Sequence, residues 1–226
     1  MDDATEIKLS KGCTILQPPL VGMTQNSWQA LCKVGEIKMV PANTRLCSEG
    51  DVVDSVFIVL DGYVLIQQGN KSLDIVEPGE SLGAGLVQTE IQKMIYPLTA
   101  ITLKPCEVLK VTPNTLVEIL QKVPDLNFYF FKQIQTRMFF LQNLNVINKL
   151  PVHLRLAHFL IKKEHLLSFS FMTKKLIADI LNTSPESVIR TTTEFVKQGI
   201  IKRKKQKMIL TEKIHSFILC QKTVQN

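Results

Sequence analysis

The chain lacks any apolar run long enough to cross a bilayer. Its longest stretch without a charged residue, 12–32, is interrupted by Pro18-Pro19, Gly22 and Thr24-Gln25-Asn26-Ser27, so no membrane partner is expected. The start, Met1-Asp2-Asp3-Ala4, is acidic and lacks the basic-then-apolar order of a secretory signal, which points to the cytoplasm. Cys13, Cys32, Cys47, Cys106 and Cys220 are odd in number, with at least fourteen residues between neighbours. That spacing indicates neither a disulfide framework nor a Cys-x-x-Cys knuckle, and reduced structural thiols are expected unless folding brings several together. The four histidines, His153, His158, His165 and His215, show no metal-ligand spacing. Nucleophile elbow, phosphate loop and paired catalytic carboxylates are all missing, so no enzymatic chemistry is expected.

What is present is concentrated in the last third. Leu176, Ile177, Ile180 and Leu181 make an apolar stripe at helical spacing, Asn182-Thr183 breaks it, and Ser184-Pro185 restarts a helix with an N-cap residue and a proline in its first turn. This second helix runs to Gly199, a natural C-terminal stop. The pattern over 173–199 is that of a helix-turn-helix. Val188, Thr192, Phe195 and Val196 define an inner face, while Glu186, Ile189, Arg190, Thr193 and Lys197 share the outer one. Arginine can donate twice to guanine, glutamate can accept from cytosine, and Ile189 can touch a thymine methyl. A solvated Glu186/Arg190 pair on an ordinary amphipathic helix is the alternative.

After Gly199, two β-prone runs flank Lys202-Arg203-Lys204-Lys205-Gln206-Lys207, in which five of six residues are basic. A turn this charged needs an anion or water to screen it, and phosphate backbone is the anion a winged hairpin would meet. Charge is also unevenly divided along the chain. Residues 149–226 hold 15 Lys/Arg against 5 Asp/Glu, and residues 1–148 hold 12 against 15. A basic module joined to a mildly acidic one is the asymmetry expected of a nucleic-acid reader with a separate partner domain.

Upstream, 24–37 reads as a short helix with Trp28, Leu31 and Ile37 as candidate buried positions. From Ile37 to Val111, short Val/Ile/Leu-rich strands are punctuated by Gly50-Asp51, Asp61-Gly62, Gly69-Asn70, Pro78-Gly79 and Gly83. Such even punctuation predicts a compact antiparallel roll. A short helix over 114–120 precedes a long one over 125–149, about 36 Å if continuous. Leu126, Phe130, Ile134, Met138, Leu141 and Leu144 form one stripe of it, and Phe128, Tyr129, Phe131, Phe139 and Phe140 extend its apolar surface. A helix with two apolar faces needs two partners: its own roll and, most simply, the same helix of a second subunit. Burial wholly within one chain is the alternative. Leu150-Pro151 ends the helix and marks a hinge.

Glu49-Gly50-Asp51, the run Val56 to Val64 and Pro78-Gly79-Glu80-Ser81-Leu82-Gly83, taken with Thr183-Ser184-Pro185-Glu186-Ser187-Val188-Ile189-Arg190, resemble the CRP/FNR family of bacterial transcription regulators over nearly the whole chain. The resemblance implies an α+β chain: an antiparallel β-roll of the double-stranded β-helix or jelly-roll type in 1–124, a dimerisation helix in 125–149, and a winged helix-turn-helix in 150–226. It implies that Glu186 and Arg190 read base edges of a pseudo-palindromic double-stranded operator. Thr173, Ser184, Ser187, Ile189, Thr193, Lys197, Lys202, Arg203, Lys204, Lys205 and Lys207 would accompany them. The homodimer would meet through Phe130, Ile134, Met138, Leu141 and Leu144, and RNA polymerase would be a partner if the protein activates.

The effector site departs from the family pattern. Where cyclic-nucleotide binders have Gly-Glu on the ribose, Gly83 is followed by Ala84, and their phosphate-binding Arg pair is replaced by Met94-Ile95-Tyr96-Pro97-Leu98-Thr99-Ala100. No arginine stands between Arg45 and Arg137. Burying a phosphate without a charged partner is costly, so cAMP is not expected in the usual mode, although Lys93 or Thr99 could compensate in part. An effector pocket is expected around Leu82, Gly83, Ala84, Gly85, Leu86, Tyr96 and Thr99. No iron–sulfur cluster is expected, because the clustered N-terminal cysteines are missing. A regulatory module acting through protein contacts is the alternative function.

Overall fold

The run Val56-Phe57-Ile58-Val59-Leu60 is apolar at every position because both of its faces are covered. The structure, a computed structural model, describes residues 23–86, 94–167, 170–204 and 207–223. Within it, strands β1 (Glu36–Val40), β3 (Val56–Asp61), β6 (Ser81–Leu82) and β8 (Cys106–Val111) form one antiparallel sheet in the order β1-β8-β3-β6. Strands β2 (Arg45–Cys47), β4 (Val64–Gln68), β5 (Lys71–Val76) and β7 (Thr99–Thr102) form a second, ordered β2-β7-β4-β5. Phe57, Val59, Val64, Ile66, Val76 and Val108 fill the space between the sheets. Val56, Ile58, Leu60, Leu109 and Val111 point the other way, against helices α1 (Gln25–Val34) and α2 (Pro113–Lys122) and the first turns of α3 (Pro124–Ile147). The expected helix over 24–37 therefore stops short, because the chain turns at Gly35 and Ile37 enters strand β1, paired with Leu109.

The hairpin between β3 and β4 turns at Gly62, where φ is +104° and a Cβ would stand 2.8 Å from the Cys106 Cα, so that only glycine is admitted.

Helices α4 (Val152–Lys162), α5 (Lys174–Ile180), α6 (Pro185–Lys197) and α7 (Lys213–Thr223) and the hairpin β9 (Ile201–Lys204)/β10 (Lys207–Leu210) make the C-terminal unit. Its core, built on Leu156, Leu160, Ile177, Val188 and Phe195, also takes in Leu65 and Ile75. These two are cross-strand partners on the outer face of the second sheet. The unit is docked on that face, and Tyr63 meets Phe171 with ring centroids 5.3 Å apart.

Candidate functional site

The helix-turn-helix is assembled by side-chain caps. Thr173 Oγ1 accepts from Leu176 N at 3.1 Å and starts α5, and Ser184 Oγ accepts from Ser187 N at 3.2 Å and starts α6. Between them Asn182 takes a left-handed φ of +52°. From α4, Arg155 Nη1 donates to Leu181 O and, at 3.2 Å, to Asn182 O, pinning the turn. These bonds orient α6 so that Val188, Thr192 and Phe195 are buried while Glu186, Ile189, Arg190, Thr193 and Lys197 lie on its outer side. Ile189 remains 51% exposed, a large apolar side chain left on a surface otherwise polar. The Glu186 carboxylate accepts from the Glu186 backbone N–H and from the Ser184 hydroxyl, which hold its pKa below the ordinary value.

Thr173, Ser184 and Ser187 are thus occupied with capping, and Thr193 Oγ1 donates to Ile189 O at 2.9 Å. In the wing, Lys202 is exposed and the strands pair Lys207 with Lys204 and Met208 with Arg203. Lys205 and the side chains of Arg203, Lys204 and Lys207 lie outside the described residues.

A second site lies in the β-roll, a cavity of about 250 Å³ between the roll and α3. Leu82, Gly83, Ala84, Gly85 and Tyr96 line it together with Cys47, Asp74, Val76, Glu80, Ile134, Arg137, Met138 and Lys162. At Gly83, where φ is +81°, a Cβ would stand 3.2 Å from Ser55 O, so a side chain there would be both strained and crowded. Tyr96 Oη donates to Ser55 O at 2.5 Å and accepts from Ser55 N at 3.2 Å, fixing the ring as a wall. Burial pushes its phenol pKa up to about 12, and that of the Cys47 thiol up to about 11.

Residues 37–123 match the family model of the cyclic nucleotide-binding domain, and residues 154–214 that of the Crp-like helix-turn-helix domain. The chain belongs to the CRP/FNR family. As a CRP/FNR regulator it is a DNA-binding transcription factor rather than a member of an enzyme family. Solved structures of the same fold include FixK2 from Bradyrhizobium japonicum, 16% identical with a TM-score of 0.67 over 81% of this chain and 96% of that one. A variant of CooA from Carboxydothermus hydrogenoformans is 19% identical, with a TM-score of 0.69 over 84% of this chain and 90% of that one. The regulator CLP of Xanthomonas campestris, described as c-di-GMP responsive, is 16% identical with a TM-score of 0.62 over 80% of this chain and 96% of that one. No curated protein matches the chain.

Two positions of this CRP/FNR regulator, Thr99 and Phe130, differ from the sequence expectation, and the side chains of three others, Leu86, Leu141 and Leu144, lie outside the described residues. Thr99 does not line the cavity; its hydroxyl accepts from Glu49 N at 3.0 Å at the edge of the roll. Leu86 ends a 3₁₀ turn over Ala84–Leu86, and its side chain lies outside the described residues. Phe130, expected at the dimer interface, is only 4% exposed and is spent inside the subunit, where it packs with Leu126 and Tyr129 against the roll. The reason is the helical turn: 126 and 130 share the face turned to the sheet, while Phe128, Phe131, Ile134, Met138 and Phe139 remain exposed. The side chains of Leu141 and Leu144 lie outside the described residues.

The cavity also uses residues that a search confined to the roll overlooks. Arg137 comes from α3 and Lys162 from α4, and each reaches Asp74, Arg137 at 3.1 Å and Lys162 at 3.7 Å. The only sequence signal for Arg137 was its being the first arginine after Arg45. Among the described residues no group of His, Cys, Asp and Glu is arranged to hold a metal ion, and no helix is long and apolar enough to cross a membrane.

Proposed function

We propose that the protein works as a cytoplasmic homodimer that binds a pseudo-palindromic DNA site, its occupancy governed by a small molecule in the β-roll cavity. The observation carrying this reading is that the cavity is walled by all three parts of the chain: the roll, the long helix α3 and, through Lys162, the DNA-binding unit. A ligand there touches the element that would join two subunits and the element that would meet DNA. It therefore has the differential contacts that a shift between two arrangements requires.

Glu186 and Arg190 are the base readers in this proposal, with Ile189 beside them and the wing lysines on phosphate. The two α6 helices would enter successive major grooves about 34 Å apart. Phe128, Phe131, Ile134, Met138 and Phe139 supply the subunit contact, since a row of exposed large apolar side chains on one helix marks an interaction surface. The cavity residues Leu82 to Gly85 and Tyr96 hold the effector. It is not cAMP in the usual mode, because no arginine of the roll lines the cavity to meet its phosphate. RNA polymerase is a further partner if the protein activates.

Selection of bound sequences from a random DNA pool, run with native mass spectrometry of the same preparation, tests the proposal. The expected result is a two-fold-symmetric site bound by a dimer that carries a co-purified small molecule. A preparation that enriches no sequence would instead favour a docking module acting through protein contacts.

A further inference from the structure

At one end of the cavity three cations converge on one carboxylate. Asp74, 4% exposed, accepts Arg137 at 3.1 Å, Lys163 at 3.4 Å and Lys162 at 3.7 Å. Lys163 is held further by Glu77 Oε1 at 2.5 Å and by Ile75 O at 3.0 Å. It lies behind the cavity wall, whereas Arg137 and Lys162 line it. Asp74 therefore keeps a buried ionic partner even if those two cations turn to something else, which removes the usual penalty for breaking a buried pair. The rest of the wall is mainly apolar, with Val76, Leu82, Tyr96, Ile134 and Met138, beside the neutral polar residues Ser81, Gln133 and Thr136. Glu80 is the one other acidic group on it, and burial raises its pKa, easing the approach of an anion.

We propose that the cavity takes a small amphiphilic anion, a carboxylate on a short apolar body, whose charged group is held by Arg137 and Lys162 in place of Asp74. The assignment rests on the cavity being the effector site. Its volume, about 250 Å³, lies below the roughly 300–1,000 Å³ of pockets for drug-sized ligands, which limits the body to a short chain or single ring. An uncharged ligand would gain nothing from the two cations. An organic cation would have to separate them from Asp74 and leave them crowded together without compensation. Because Lys162 belongs to the DNA-binding unit and Asp74 to the roll, the ligand takes over one of the ties between them.

Calorimetric titration of the full chain with hexanoate and octanoate, against their amides and amines, tests the class. Each carboxylate should bind at least about tenfold more tightly than its amide, the scale of one charged hydrogen bond. Arg137→Gln and Lys162→Gln should each bring that ratio towards one, and Lys162, half exposed, can be changed without disturbing the core. Asp74→Asn should bind the carboxylate no more weakly. A carboxylate no tighter than its amide, an amine tighter than the carboxylate, or a preference that survives both substitutions overturns the assignment. Filling the cavity with Ala84→Trp separates the two levels of the argument. A co-purified ligand retained by Ala84→Trp sits elsewhere and sinks the effector-site reading itself. One that is lost from Ala84→Trp but is neutral or cationic leaves the site standing and overturns the anion.

Discussion

The Lys163 ammonium, at the end of the first helix of the DNA-binding unit, lies 2.5 Å from the Glu77 carboxylate of the β-roll, and both are withdrawn from solvent. His165 Nε2 meets the other oxygen of the same carboxylate at 2.5 Å. The turn that carries Glu77 is also held by α3, since Tyr129 Oη and Gln133 Nε2 each donate to Gly79 O at 2.8 Å. Three parts of the chain thus meet on one turn of the roll. Removing one partner of such a pair strands the other charge, so Lys163→Ala should destabilise the chain by about 3–5 kcal/mol. Urea melts measure the loss, and limited proteolysis should show new cleavage at 148–150 as the DNA-binding unit comes off the roll. A loss under about 1 kcal/mol would mean that the apolar contacts of Tyr63, Leu65 and Ile75 hold the docking.

Arg190→Ala should weaken binding to the selected site by about 1–3 kcal/mol and leave binding to random DNA nearly unchanged. Mobility shifts on the two kinds of DNA make the comparison. An equal loss on both would reassign Arg190 to the phosphate backbone.

Neutralising Lys202 and Lys204 together should reduce the slope of log affinity against log salt, on any sequence, by about one for each phosphate that the wing no longer neutralises. If the slope holds, the wing does not touch DNA.

The neighbours Phe130 and Phe131 should behave as opposites. Phe130→Ala opens a cavity against the roll and should cost about 3–5 kcal/mol. Phe131→Asp, on a side chain 60% exposed, should leave the melting behaviour of the subunit intact and sediment as a monomer where the parent chain is expected to sediment as the proposed dimer. A Phe131→Asp protein that sediments as a dimer would move the interface off this face.

Burial raises the Glu80 carboxyl above its ordinary pKa of 4.5, so the folded chain binds that proton more tightly than the unfolded one. The stability this contributes is complete below the unfolded value and is lost as pH rises through the raised folded value. Glu80→Gln keeps an acceptor for Glu77 N, bonded at 2.8 Å, and removes the titration. Its Tm should exceed that of the parent near neutral pH, with the gain shrinking towards zero at about pH 4. Melts across the range decide it; a gain independent of pH would point to packing.

Local patterns carried much of this protein. The stripe Leu176, Ile177, Ile180 and Leu181, the cap Ser184 and the stop at Gly199 define the helix-turn-helix because caps and helical periodicity act within a few residues. The glycine-punctuated strands marked the roll for the same reason, through positive φ at turns such as Gly62. The outward placement of Glu186 and Arg190 followed from one helix and one buried face.

Contacts between distant segments were not readable in this way. Whether Phe130 or Phe131 turns to the roll depends on the rotation of α3 about its axis, which packing decides on a helix apolar around its circumference. The burial of Leu65 and Ile75 depends on a unit almost a hundred residues downstream closing over their sheet. Arg137, Lys162 and Asp74 come from three separate elements, and no spacing in the chain announces that they share one cavity wall. The helix-turn-helix, the punctuated strands and the surface that would read DNA were legible along the chain, since they rest on short-range geometry. The charged end of the sensing cavity came only from folding, because charges drawn from separate elements carry no local signature.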